Sequence, residues 1–333
     1  MKNSVKIKKW QLTRWRANAE VADLTDAEFV AVGKGAFQHR NKLEAVRLPV
    51  GVTAIKTDAF RACKRLKRVI LSGEENIGLS GGVFRNCTRL QGIEHSEMVS
   101  VIGARAFDRC IMLKDMTLGS DLRRIGERAF SGCRSLEALT LPASLQGIGK
   151  RAFEHCTELV SVQMDDSVKC MAPEQFRGCI SLTDLHFSAC LEQIPKGAFR
   201  GCSAMTAVTV PSQITKIGTK AFYGCARLEQ VTLELGVTQI GAKAFAATRD
   251  LKAVTVPHTL KRLGFGAFGL GRRKEKTVLY VANEYMLRRM KRLVLLCGSA
   301  GCVEVVMNGQ TIEERKRARR RAQVEQTPTH LID

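Results

Sequence analysis

Residues 125–142 read Ile125-Gly126-Glu127-Arg128-Ala129-Phe130-Ser131-Gly132-Cys133-Arg134-Ser135-Leu136-Glu137-Ala138-Leu139-Thr140-Leu141-Pro142, and the same skeleton returns along most of the chain. Its phenylalanine recurs as Phe37, Phe60, Phe84, Phe107, Phe130, Phe153, Phe176, Phe199, Phe222, Phe245 and Phe268. Nine of the ten steps are 23 residues; the step from Phe60 to Phe84 is 24. A fixed period in this range marks a stacked repeat, whose units are too small to bury their apolar sides alone and close a core only against their neighbours.

Working outward from the phenylalanine, a leucine or methionine follows six residues later, as in Leu136 and Met205. Apolar residues nine and eleven positions on, such as Leu139 and Leu141 or Val208 and Val210, alternate with period two. They predict a short strand with one buried face. Pro49, Pro142, Pro211 and Pro257 close that strand, where a missing N–H is tolerated. A second apolar pair, for example Leu145 and Ile148, predicts another extended piece. The glycine that follows (Gly33, Gly103, Gly126, Gly149, Gly218, Gly241 and Gly264) suggests a tight turn or a positive φ. The spacing of Ile125, Ala129, Phe130, Cys133 and Leu136 predicts about two helical turns per repeat. Eleven coils at a strand spacing of about 4.8 Å would be roughly 50 Å long.

The pattern Ile-Gly-x-x-Ala-Phe-x-x-Cys-x-x-Leu-x-x-Val-x-Leu-Pro resembles the BspA-like class of leucine-rich repeats, from about Phe29 to Val281. The resemblance implies an α/β repeat solenoid: a right-handed, curved array of about eleven coils with a parallel sheet on one face. It also implies a binding role, since many such proteins are bacterial or protist surface proteins that bind host proteins.

The domain reading is a basic N-terminal segment (1–25), the solenoid (26–276), a C-terminal strand–helix–strand cap (277–308) and a basic tail (309–333). Thr277 to Val281 and Cys302 to Met307 read as the cap strands and Asn283 to Cys297 as its helix, since a solenoid needs a cover over its last open coil. Departures concentrate at two places. The extra residue falls in Ser72-Gly73-Glu74-Glu75-Asn76, which reads as a bulged loop. The repeat of Phe176 has Gln175 for alanine and Ala172-Pro173 in the glycine region, and Pro195 stands for glycine before Phe199, so the stack could kink near its middle.

Eight cysteines (Cys63, Cys87, Cys110, Cys133, Cys156, Cys179, Cys202 and Cys225) stand three residues after a ladder phenylalanine. Metal ligands converge on a point, whereas this register spreads them along the stack, so buried thiols are expected. Such thiols suit a reducing compartment. Gly264-Phe265-Gly266-Ala267-Phe268-Gly269 matches a dinucleotide-binding string but arises from the repeat's own positions and lacks the strand–turn–helix context. The histidines share no ligand spacing, and no catalytic, cofactor or metal set is expected.

Function is therefore sought on the surface. The outward strand positions should line a concave face, where Arg47, Arg68, Glu94, Asp115, Gln163, Asp184, His186 and Gln230 are the candidate contacts for a protein partner. The net charge of +21 is uneven: residues 1–16 hold six basic and no acidic residues, and 271–333 hold 14 basic and seven acidic ones. Such ends favour anionic partners. Lys8-Lys9-Trp10 and Arg14-Trp15-Arg16 mix charge with rings that can stack on bases, and Arg315, Lys316, Arg317, Arg319, Arg320 and Arg321 are candidate anion contacts. Arg105, Arg128, Arg151, Lys220 and Lys243 lie two residues before a phenylalanine, and Arg61, Arg85, Arg177 and Arg200 one after. Stacking should align them into basic rows. The reading is a non-catalytic protein-interaction scaffold, with a nucleic-acid or ribonucleoprotein scaffold as the alternative. No signal or membrane-spanning stretch is visible, which points to an intracellular protein, cytoplasmic or nuclear. Nothing in the sequence sets an oligomeric state.

Overall fold

The computed structural model of the chain describes residues 19–27, 29–73, 76–114, 116–269 and 276–307. It is a solenoid in which each coil hydrogen-bonds to the next at three places. The first is the expected strand. Val21–Asp23, Ala45–Arg47, Arg68–Ile70 and Gly92–Glu94 pair in parallel, and Ala138–Leu141, Ser161–Met164 and Asp184–His186 continue the face. Ala207–Val210, Gln230–Leu233, Ala253–Thr255, Thr277–Val281 and Val303–Met307 complete it. The register advances by one repeat at each step, as in Leu139↔Val162↔Leu185. Pairing starts at Val21–Asp23, within the segment read as an N-terminal extension.

The second extended piece forms its own parallel ladder. Ala31–Val32, Ala54–Ile55, Ile77–Leu79, Val99–Ile102, Arg124–Ile125 and Gly147–Ile148 form one sheet, and Gln193–Ile194, Lys216–Ile217, Gln239–Ile240 and Arg262–Leu263 another. Its register slips between Ile77 and Gly78, beside the loop expected from the 24-residue step; Glu74 and Glu75 lie outside the described residues.

The third place corrects the helical expectation. The segment around each phenylalanine is a chain of turns. In the coil of Phe60, Ala59, Arg61 and Cys63 donate their N–H groups three residues back, to Lys56, Asp58 and Phe60. Asp58, Phe60 and Ala62 donate instead across to Gly81, Val83 and Arg85 of the next coil. This alternation needs left-handed backbone two residues before and two after the phenylalanine, as at Arg105 and Arg109 (φ 56° and 63°) and Lys220 and Gly224 (φ 57° and 76°). Spacings of three and four fit this turn as well as a helix, which is why the apolar pattern misled.

The repeat glycine serves close approach, not positive φ. A Cβ on Gly126, Gly149 or Gly264 would lie 2.4, 2.2 or 2.3 Å from the backbone nitrogen of the preceding coil. Inside, the phenylalanines form one continuous stack, with centroids 4.6 to 5.7 Å apart and planes within 22° of parallel. Each such pair contributes about 0.5–1.5 kcal/mol beyond its buried area. The stack continues through the coil of Phe176, at 5.5 and 5.7 Å to its neighbours, although both strand ladders are interrupted there. Phe187 packs edge-on against Phe199 in that region. Gln175, fully buried, accepts from the Ala172 N–H at 2.8 Å. At the other gap in the first ladder, the Ser96 hydroxyl bridges to the Thr117 carbonyl (3.0 Å) and N–H (3.1 Å).

The cap has the expected elements. The helix Glu284–Leu296 is started by Asn283, whose side chain accepts from the Met286 N–H, the usual way to satisfy an open helix terminus. It buries Met286, Leu287, Met290 and Val294.

Candidate functional site

Among the outward positions of the first ladder, Arg47, Arg68, Glu94, Gln163, Asp184, His186 and Gln230 are exposed, and Ala45, Ile70, Gly92, Ser161 and Ala253 half-buried. Arg47 sits opposite Asp23, and Arg68 reaches Glu94 at 4.0 Å. The Gln163 amide donates to Asp184 at 3.0 Å, and His186 lies 3.6 Å from Asp166. Gln230 stands between Ala207 and Ala253. The structure thus brings Arg68 to Glu94 and Gln163 to Asp184 and His186, and leaves Arg47 beside Asp23 and Gln230 apart. Asp115 lies outside the described residues, as do Arg315, Lys316, Arg317, Arg319, Arg320 and Arg321 and the Lys8–Arg16 aromatic-basic stretch.

The eight ladder cysteines are buried and unbridged. Each thiol donates to the carbonyl of the phenylalanine one coil back, from 2.9 Å for Cys63 to Phe37 up to 3.3 Å for Cys202 to Phe176. Burial pushes the Cys87, Cys110, Cys133, Cys156 and Cys202 thiols well above their ordinary range and Cys225 up to about 12. These are poor nucleophiles, because the reactive species is the thiolate. Cys190 is exposed and Cys170 half-buried. Among the described residues no group of three or more His, Cys, Asp or Glu side chains could hold a metal. No described helix is long and apolar enough to cross a membrane. In the dinucleotide-like string, Gly264 makes the coil-to-coil contact and Gly266 (φ 60°) is the left-handed corner residue, so both are consumed by the repeat.

The basic rows divide. Arg200 and Lys220 pack on the Tyr223 ring, at 5.3 and 5.9 Å, and Arg61 pairs with Asp58. Arg85, Arg105, Arg128, Arg151 and Arg177 converge with Arg109 and Arg134 on one groove of about 680 Å³. Its lining acids are Asp108 and Glu154. Asp108 meets Arg85 at 3.2 Å; Glu154 meets Arg177 at 3.0 Å, Arg151 at 3.7 Å and Arg128 at 3.9 Å. Arg151 also binds Glu174. Its hydrogen bond to that carboxylate raises the Arg151 pKa; on Glu174 burial pushes upward, and that bond together with the charges of Arg151, Lys150 and Arg177 leaves the carboxyl below its ordinary value. Arg109, Arg134 and both acids escaped the sequence reading. Their signal is opposite charge one repeat apart: Arg85 and Asp108, Glu154 and Arg177, Arg151 and Glu174 are each separated by 23 residues.

A second groove, of about 630 Å³, lies at the end of the first ladder beside Leu235, Pro257 and Tyr280, and its lining is mainly apolar.

No curated protein matches the chain. Among solved structures, it is similar to a leucine-rich repeat protein from Bacteroides ovatus (21% identity, covering 86% of this chain and 91% of that one, TM-score 0.44). It is also similar to a leucine rich cell surface protein from Faecalibacterium prausnitzii (23%, 71% and 87%, TM-score 0.33). A third is the T. pallidum leucine-rich repeat protein (27%, 63% and 78%, TM-score 0.40). The family model of the BspA type leucine rich repeat region, written as six copies, matches residues 30–160, 78–204 and 146–271. Those matches span well over half of the chain and follow the phenylalanine register: this protein belongs to the BspA-type leucine-rich repeat family.

Proposed function

We propose that the protein is a non-catalytic interaction scaffold that takes a protein partner on the outward face of its first strand ladder. The observation that carries this reading is the division of labour within each coil. Phenylalanine, cysteine, glycine and the inward aliphatics are all consumed by stacking, and most outward strand positions remain exposed and in register over successive coils. A rigid surface built by repetition can hold polar contacts at fixed spacing without paying to order them on binding. The setting we propose is intracellular, in a reducing compartment that suits eight unbridged thiols.

The test is affinity purification of the full chain with mass spectrometry, with and without nuclease, beside a variant carrying Gln163→Arg and Asp184→Arg. Protein partners that survive nuclease and are lost from the variant are expected. Partners that vanish with nuclease, or that the variant keeps in full, would overturn the reading.

A further inference from the structure

The corner turns of five consecutive coils concentrate arginine where the spine does not ask for it. The left-handed positions flanking each phenylalanine favour glycine. Glycine occupies them elsewhere in this chain, at Gly35, Gly82 and Gly197 before the ring and at Gly178, Gly201 and Gly224 after it. Around Phe107 both positions hold arginine, Arg105 and Arg109, at a steric cost that glycine would not carry. Both line the 680 Å³ groove, as does Arg134, and none of the three makes a salt bridge to a described residue. The acids already in the groove are taken up from within, Glu154 by Arg128, Arg151 and Arg177 and Asp108 by Arg85. Two lining carboxylates therefore face seven lining arginines. The buried Nε atoms through which Arg85 and Arg128 meet Asp108 and Glu154 do so as ion pairs, without hydrogen-bond geometry.

We propose that this groove binds an acidic polypeptide segment whose carboxylates pair with Arg105, Arg109 and Arg134. A guanidinium presents a planar fork of donors that matches a carboxylate in two parallel hydrogen bonds. Five coils at about 4.8 Å span about 20 Å, the reach of about six residues of extended chain. Ile111, exposed in the same lining, offers an apolar contact beside the charges. A single-stranded nucleic acid fits less well. Binding of that kind uses aromatic faces for the bases, and the lining's only ring is the His155 imidazole. The arginine run is also interrupted: beyond Arg177 the next left-handed positions are Gly178, Gly197 and Gly201, and Lys220 and Lys243 resume the charge only outside the groove. The groove is built from the phenylalanine corner, and no residue of the first strand ladder lines it. It stands or falls apart from the strand-face reading.

Fluorescence anisotropy of labelled hexaglutamate with the full chain, at physiological salt, tests the proposal. The variant is Arg105→Gly with Arg109→Gly, a pair of residues native to other coils, and thermal unfolding reports that it folds. The control, Lys220→Gly with Lys243→Gly, removes the same charge at corner positions outside the groove. Hexaglutamate should bind the groove variant about tenfold more weakly and the control within about twofold of the parent. Arg134→Gln, on an exposed side chain, should weaken binding in the same direction and serves if the glycine pair unfolds. The proposal is overturned if the parent fails to bind, if the control loses as much as the groove variant, or if neither changes. It is also overturned if a single-stranded oligonucleotide of equal charge binds the parent more tightly than the peptide and loses that affinity in the groove variant.

Discussion

The carbonyl of Phe60 has two lone pairs and two donors: the Cys63 N–H at 3.1 Å within its own coil and the Cys87 thiol at 3.0 Å from the next. The arrangement repeats at Phe84 with Cys87 and Cys110. It explains a cysteine register that packing alone would leave to alanine, since a small apolar side chain with a weak donor satisfies a carbonyl sealed from water. The repeat glycine is equally local in its cause. In Gly149→Ala the new Cβ would sit 2.2 Å from the Glu127 nitrogen, against backbone that cannot swing aside. Chemical denaturation should show a loss of about 1–3 kcal/mol. Gly147→Ala, two residues away with nothing within 4 Å of the added carbon, should stay within about 0.5 kcal/mol of the parent. Equal effects at the two sites would remove close approach as the reason for the glycine.

Among the elements, strands and cap were legible because each leaves a periodic trace: alternation at Leu139 and Leu141, and an amphipathic stripe ending in the cap at Met286 and Met290. The corner was misread because Ala129, Phe130, Cys133 and Leu136 have spacings that a helix and a chain of turns share. What separates the two is backbone handedness at residues such as Arg105 and Arg128 (φ 56° and 54°), and arginine gives no hint of it. Glycine at equivalent corner positions, Gly132 and Gly197, was the available clue. The exposed strand residues could be placed from sequence, and so could the rows that hold Arg85, Arg105, Arg128, Arg151 and Arg177; the groove they form with Arg109, Arg134, Asp108 and Glu154 could not, because its members come from five coils and meet only after stacking. Charges one repeat apart tie neighbouring coils elsewhere along the stack, as in Lys67–Glu44 and Lys252–Glu229, both at 2.8 Å. Their pH dependence follows from Glu174, whose carboxyl is held below its ordinary value of 4.5 by Arg151 against the opposing effect of burial. A depressed folded-state pKa stabilises fully above the unfolded value, and that contribution is lost as pH falls through the folded value. The pair's contribution to melting temperature should therefore be full and constant around neutral pH and be lost below about pH 4.5. Glu174→Gln should shrink the acid loss by about 1 kcal/mol or less, the usual scale for an ion pair that is only partly buried. An acid limb unchanged in that variant would detach the pair from coil-to-coil stability.

At the scale of the whole molecule, the continuous phenyl stack and the cysteine register form one spine, and function is left to what the spine does not use. Stability of such a stack is a sum over coils and their interfaces, so the irregular coil of Phe176, whose strand Asp184–His186 pairs with the coil before it and not with the one after, relies on the phenyl stack and the corner bonds to carry the spine forward. The eight ladder thiols stand one per coil from the second coil to the ninth, and together they report whether the spine is closed along that length. Timed alkylation of the native full chain, read by mass spectrometry at each cysteine, measures this directly. A closed spine predicts that Cys190 labels first and half-buried Cys170 more slowly, while Cys63 through Cys225 of the ladder stay protected until denaturant unfolds the chain. Ladder thiols labelling in the native protein as fast as Cys190 would contradict it, and with it the assignment of these residues to structure instead of to a site.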